Sequence, residues 1–117
     1  ISERWAKNWA PFASAIEALS GLQGVLRGPV IANVLQAVKE MNKAMPNKFL
    51  ATIHAVQAVL YCEKLYGMDR QKCESIVLNA TKVPKEIYDE MIKKIGQGEG
   101  QQQQQQQQGQ QQRQTGA

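Results

Sequence analysis

The sequence predicts an all-α fold, a compact bundle of five to six short helices, and three observations predict it. Apolar residues recur at i, i+3, i+4 and i+7 along several separate stretches. No stretch alternates with the period of two that a half-buried strand needs. Proline, glycine, asparagine and aspartate stand at the borders of the periodic stretches, where helix starts and stops call for them.

Taken in order, Ser2 can cap a short helix running to about Asn8, with Trp5 and Trp9 one turn apart on one side. Two tryptophans that close could form a membrane-interface anchor or a ligand-facing wall, but they are better read as closing one end of the core, because each buries a large area. Pro11 suits the first turn of a second helix with Phe12, Ala15, Ile16 and Leu19 inward. Gly21, Gly24 and Gly28 punctuate a connection; no GK[ST] follows and no strand precedes, so they do not form a phosphate loop. Pro29 opens a third helix with Val30, Ile31, Val34, Leu35, Val38 and Met41 on its inner face, and Lys39, Glu40, Asn42 and Lys43 marking its outer side and last turn. Met45-Pro46 ends that run, since a residue before proline avoids the helical region. Val83-Pro84 starts a last helix with Ile87, Met91, Ile92 and Ile95 inward and Gly96 as its cap.

Between these lies the central stretch, Asn47 to Leu78. Phe49, Leu50, Ile53, Val56, Val59 and Leu60 make a wide apolar stripe behind an Asn47 N-cap. Gly67 can take the left-handed conformation that ends a helix, and Asp69 offers the next N-cap. A second arm follows, with Cys73, Ile76, Val77 and Ala80 inward. So short a turn makes the arms antiparallel neighbours. Cys62 precedes Gly67 by five residues and Cys73 follows it by six, so the two sit at similar heights on facing helices. A Cys62–Cys73 disulfide is the expectation, against the alternative of two buried free thiols.

Composition divides the chain into a helical domain over 1–96 and a Gln/Gly-rich low-complexity tail over 97–117. That tail has no apolar residue before Ala117, so it is expected to be disordered and prone to self-association when concentrated. Formal net charge is +4. Lys39 with Glu40, Lys64 with Glu63 and Lys85 with Glu86 interleave the two signs, and Lys93-Lys94 lies near a helix C-terminus where cations are favoured anyway. No arginine-rich arm or aromatic RNA-binding motif appears, so no nucleic-acid partner is expected. No apolar run is long enough to span a membrane.

Catalytic chemistry finds no constellation. The sole histidine, His54, is eight residues from Cys62, too far along one helix for a nucleophile pair, and no set has metal-ligand spacing. The expectation is a protein that is not an enzyme and holds no metal or cofactor, with His54 a boundary residue and a pH-sensing candidate. Trp5, Trp9, Phe12, Val34, Phe49, Ile53 and Leu60 are the candidates for core or ligand-facing positions.

Ile1 is not a methionine, which suggests either a fragment or a mature start after signal-peptide removal. With the cysteine pair and the Asn79-Ala80-Thr81 sequon, which marks Asn79 as a glycosylation candidate, this points to a secreted protein. The string CEKLYGMDRQKCE, Cys62 to Glu74, resembles the stretch of insect odorant-binding proteins in which two cysteines flank a helix turn and an acidic residue follows the second. That resemblance is confined to the hairpin and implies a secreted carrier enclosing a hydrophobic ligand. The other cysteines of that family are missing here, so its interlocking disulfides cannot form. The function expected is a secreted structural or assembly module, a helical terminal domain joined to a self-associating or cross-linkable Gln-rich segment. The alternative is a small carrier with an apolar ligand in an interior cavity.

Overall fold

The computed structural model describes residues 3–22 and 28–96, and side chains from residue 7 onward. Among the described residues there are five α-helices and no strand: α1 Glu3–Ala18, α2 Gly28–Met41, α3 Lys48–Tyr66, α4 Arg70–Thr81 and α5 over 85–96. A 3-10 turn, Leu19–Gly21, closes α1. The all-α expectation holds. The Ser2 cap, the Trp5 side chain, Gly24 and the Gln-rich tail lie outside the described residues.

One boundary differs. A break was expected before Pro11, yet α1 runs through it. An interior proline removes one backbone hydrogen bond and costs about 3 kcal/mol. Here the apolar face continues across it, with Trp9 stacked on Phe12 at 5.6 Å between ring centroids, and Ala15 and Leu19 buried beyond. Packing of one continuous face outweighs the local propensity.

The caps in the second half follow the sequence closely. Asn47 accepts the Leu50 N–H at 3.0 Å, and Asp69 accepts the Lys72 N–H at 2.8 Å. Gly67 takes φ 63°, with its N–H donating to the Glu63 carbonyl at 3.1 Å. At the end of α4, Lys82 adopts φ 57° and donates its N–H to the Leu78 carbonyl at 2.9 Å, a left-handed cap held without glycine.

The α2–α3 pair is the most extensive packing, and α4 lies against both. α1 packs on α2 and α4, so α1 and α3 flank the same two helices. Val30, Val34, Ala37 and Val38 of α2 meet an interior of Ala51, Ala55, Ala58, Val59 and Cys62 from α3, all buried. Small side chains there let the helix backbones approach closely, and each buried valine contributes about 1.5–3 kcal/mol. Cys73 and Val77 of α4 and Tyr88 of α5 close the core.

Cys62 and Cys73 are fully buried, with their sulfurs at disulfide-bonding distance and their Cα atoms 5.9 Å apart. Glu40, expected on the outer side of α2, is instead buried near its end, where its carboxylate accepts from Lys43 at 2.8 Å. The charge is tolerated because its partner sits one turn on and its carboxylate stays at the boundary.

Candidate functional site

The feature that sets this molecule apart from a self-contained bundle is α3. At 100° per residue, Phe49, Ile53, Val56 and Leu60 form one stripe, and Ala51, Ala55, Ala58 and Cys62 form another about 200° away. Both stripes are apolar, so the helix carries two faces that packing can cover. The small-residue stripe takes the core. The large-residue stripe faces α5 and solvent.

Between α3 and α5 runs an open groove of about 410 Å³, lined by Phe49, Ile53, Val56, Leu60, Met91 and Ile95, with Gln57 and Lys94 on its polar margin. Phe49, a candidate for a core or ligand-facing position, is 62% exposed at one end of this groove. The reason is the pair of stripes: periodicity saw one broad apolar face, whereas the fold buried the other side of the helix. Ile53 and Leu60 are half-buried. Val34 is fully buried, and Phe12 is half-buried against the core. Trp9, expected to close the core, is 46% exposed on α1. It stacks on Phe12.

Polar candidates are placed as follows. His54 Nδ1 lies 3.1 Å from Asn33 Oδ1 on α2. Asn33 Nδ2 donates to the Pro29 carbonyl at 2.7 Å, which leaves Oδ1 as the acceptor and makes Nδ1–H the donor. Asn79 is exposed, but Thr81 of its sequon is 2% exposed and donates its hydroxyl to the Val77 carbonyl at 2.8 Å. Among the described residues no cluster of three His, Cys, Asp or Glu side chains is placed to hold a metal ion. No described helix is long and apolar enough to cross a membrane.

Sequence reasoning missed Tyr88, the largest fully buried side chain. Its signal was present: Tyr88, Met91, Ile92 and Ile95 keep the i, i+3, i+4, i+7 spacing, with Tyr88 in the place assigned to Ile87. Burial pushes its phenol well above the usual tyrosine range, and the Glu74 carboxylate adds to the shift. No acceptor meets hydrogen-bonding geometry at its hydroxyl.

Three hollows around the described residues, of about 320–410 Å³, are open surface grooves. The expected enclosed ligand cavity finds no support. What the surface offers is apolar area suited to another polypeptide.

No protein-family model matches the chain. It is 44% identical over 85 residues to the major capsid protein 2 of Pyrobaculum filamentous virus 1, and to that of Pyrobaculum filamentous virus 2. Each match takes in 73% of this chain and 59% of the relative, so the chain spans about three-fifths of the length of the curated relatives it matches. A chain in the cryo-EM reconstruction of Pyrobaculum filamentous virus 2 superposes with a TM-score of 0.68 at 41% identity, covering 75% of this chain and 70% of that one. These relatives are structural proteins of a virus particle, consistent with a chain that is not an enzyme.

The expectation of secretion is overturned by the same finding, because capsid proteins are parts of a virion and not exports of a cell. The cysteine pair misled there: disulfides persist on virion surfaces as well as in secreted proteins. The hairpin's resemblance to odorant-binding proteins is local, whereas these matches run over about three-quarters of the chain.

Proposed function

We propose that the chain is a coat subunit of a filamentous particle, related to the major capsid protein 2 of the Pyrobaculum filamentous viruses. The observation that carries the reading is the 41% identity and TM-score of 0.68 to a chain of the filamentous virion over 75% of this one. The groove beside α3 supports it, since a subunit that must associate keeps apolar surface available. The interleaved charge supports it too, since close packing of like copies tolerates no large field of one sign.

In this reading the helical body carries the contacts between subunits, and the cysteine pair braces the α3–α4 hairpin within each. The purified chain is concentrated and followed by sedimentation and electron microscopy. Filaments or regular oligomers are expected. A chain that remains monomeric at every soluble concentration, and joins no other coat protein, would contradict the reading.

A further inference from the structure

We propose that the α3–α5 groove is a docking site for an amphipathic helix of a partner protein, one whose apolar ridge is flanked by carboxylates. The inference rests on the coat-subunit reading for the source of that helix, a neighbouring subunit of the particle, and adds the chemistry the neighbour carries.

The α3 wall of the groove runs from Phe49 to Leu60, which is about 16 Å or three helical turns. Met91 and Ile95 of α5, one turn apart, line the other side of an open hollow of about 410 Å³. Leu60 and Gln57 also line a second hollow of about 360 Å³, so the surface continues over them to Tyr61 and Lys64. The result is an elongated trough. Phe49 stands 62% exposed at its end, and Met45, on the adjoining turn, is 88% exposed.

Backbone chemistry selects a helix as the occupant. A polypeptide laid on apolar side chains has to satisfy its own N–H and C=O groups, because unpaired ones cost free energy once water is excluded. Apart from the Gln57 amide and the Lys94 ammonium, the side chains lining the groove are apolar. An extended strand would find no ladder there, whereas a helix bonds its backbone internally and offers anchors at i, i+3, i+4 and i+7.

Charge selects the flanks of that helix. Lys94 lines the groove and Lys64 the second hollow; both are exposed and have no ion-pair partner among the described residues. No carboxylate lines either hollow, and Glu63, beside Lys64 in sequence, is engaged by Arg70. An apolar ridge bordered by Asp or Glu complements both features at once. A ridge bordered by cations would bring like charges together, which suppresses binding.

The test uses the full chain and two synthetic helical peptides with one shared ridge of leucines at i, i+3, i+4 and i+7. They differ only in their flanks, glutamate in one and lysine in the other. Fluorescence anisotropy is expected to show the acidic peptide bound about tenfold more tightly at low salt, with the difference shrinking as salt rises. Phe49→Ser is expected to weaken the acidic peptide by about thirtyfold, as for loss of an interface anchor. Lys64→Glu combined with Lys94→Glu is expected to invert the preference, with circular dichroism checking that each variant folds. An acidic peptide that fails to bind overturns the docking; that is the outcome if a second copy, or residues of the chain outside the described ones, already fill the groove. Equal binding of the two peptides overturns it, and so does binding that Phe49→Ser leaves unchanged. Binding is read on the soluble chain and so separates from assembly. Filaments without peptide binding overturn the docking alone, and peptide binding by a chain that never assembles overturns the coat-subunit reading alone.

Discussion

Tyr88 has the one buried side-chain polar atom among the described residues that meets no strict hydrogen-bond geometry, the Glu74 carboxylate acting on it only through a poorly aligned contact. By contrast, the buried hydroxyls of Thr52 and Thr81 donate to carbonyls one turn back, at 2.6 Å and 2.8 Å. A buried hydroxyl left unmatched costs about 1–3 kcal/mol, so Tyr88→Phe is expected to raise stability by about 1 kcal/mol. The pH dependence follows from the raised ionisation. The unfolded phenol ionises near pH ~10, while the folded one stays neutral, so stability present below that pH is lost as pH rises above it. Denaturation midpoints at pH 8 and pH 11 check both statements: Tyr88→Phe should lose less stability across that interval than the native chain. Lys82 offers a second residue-scale test. Its φ of 57° costs a non-glycine residue about 1–2 kcal/mol, partly offset by the flexibility glycine adds to the unfolded chain. Lys82→Gly should therefore raise stability by about 0.5–1 kcal/mol, with Gly67→Ala moving it the other way. The caps at Asn47, Gly67 and Asp69 were legible because each rests on one residue type and its immediate neighbours. Lys82 was not, because nothing in a lysine announces a left-handed backbone.

Among the elements, α3 decides the architecture. Its buried stripe is built of Ala51, Ala55 and Ala58, so the close approach of α2 depends on small side chains. Ala55→Leu forces extra volume into a closed interior and is expected to cost about 1–3 kcal/mol, measured as a lowered denaturant midpoint with the slope unchanged. The α3–α4 hairpin carries the sulfur pair, 11 residues apart in sequence. If Cys62 and Cys73 are replaced together by alanine, loss of the cross-link should cost about 2–3 kcal/mol from the unfolded chain's regained freedom. Intact mass with alkylation under non-reducing conditions establishes the bond itself; two alkylated thiols in the folded native chain would remove it. Helix α1 shows the opposite limit of sequence reasoning. Pro11 is a strong local stop signal, and only the continuous face from Trp9 to Leu19 overrides it.

For the whole molecule, the question is which part drives association. If contacts lie on the helical body, a chain ending at Gly96 should assemble at the same concentration as the full chain and keep its melting profile. Loss of assembly on that truncation would transfer the role to the Gln-rich segment. Sedimentation of both forms, with an apolar fluorescent probe present, also tests the carrier alternative, which requires one saturable buried site in a monomer.

Periodicity, capping residues and the cysteine spacing were enough to determine the helical class, most helix boundaries and the Cys62–Cys73 pairing distance, because each depends on residues near one another in the chain. The same local signals marked the large apolar residues of α3, but they could not say which of its two stripes would face the core. That choice is made by fit: three alanines let α2 come close, and the larger stripe was left to α5 and to solvent. Phe49 and Trp9 therefore sit on exposed surface, and Tyr88 moved into the core. Those exchanges turn a bundle that could have stood alone into one with apolar surface to share. Only the packing of whole helices, through shape and volume over long sequence separation, decided that.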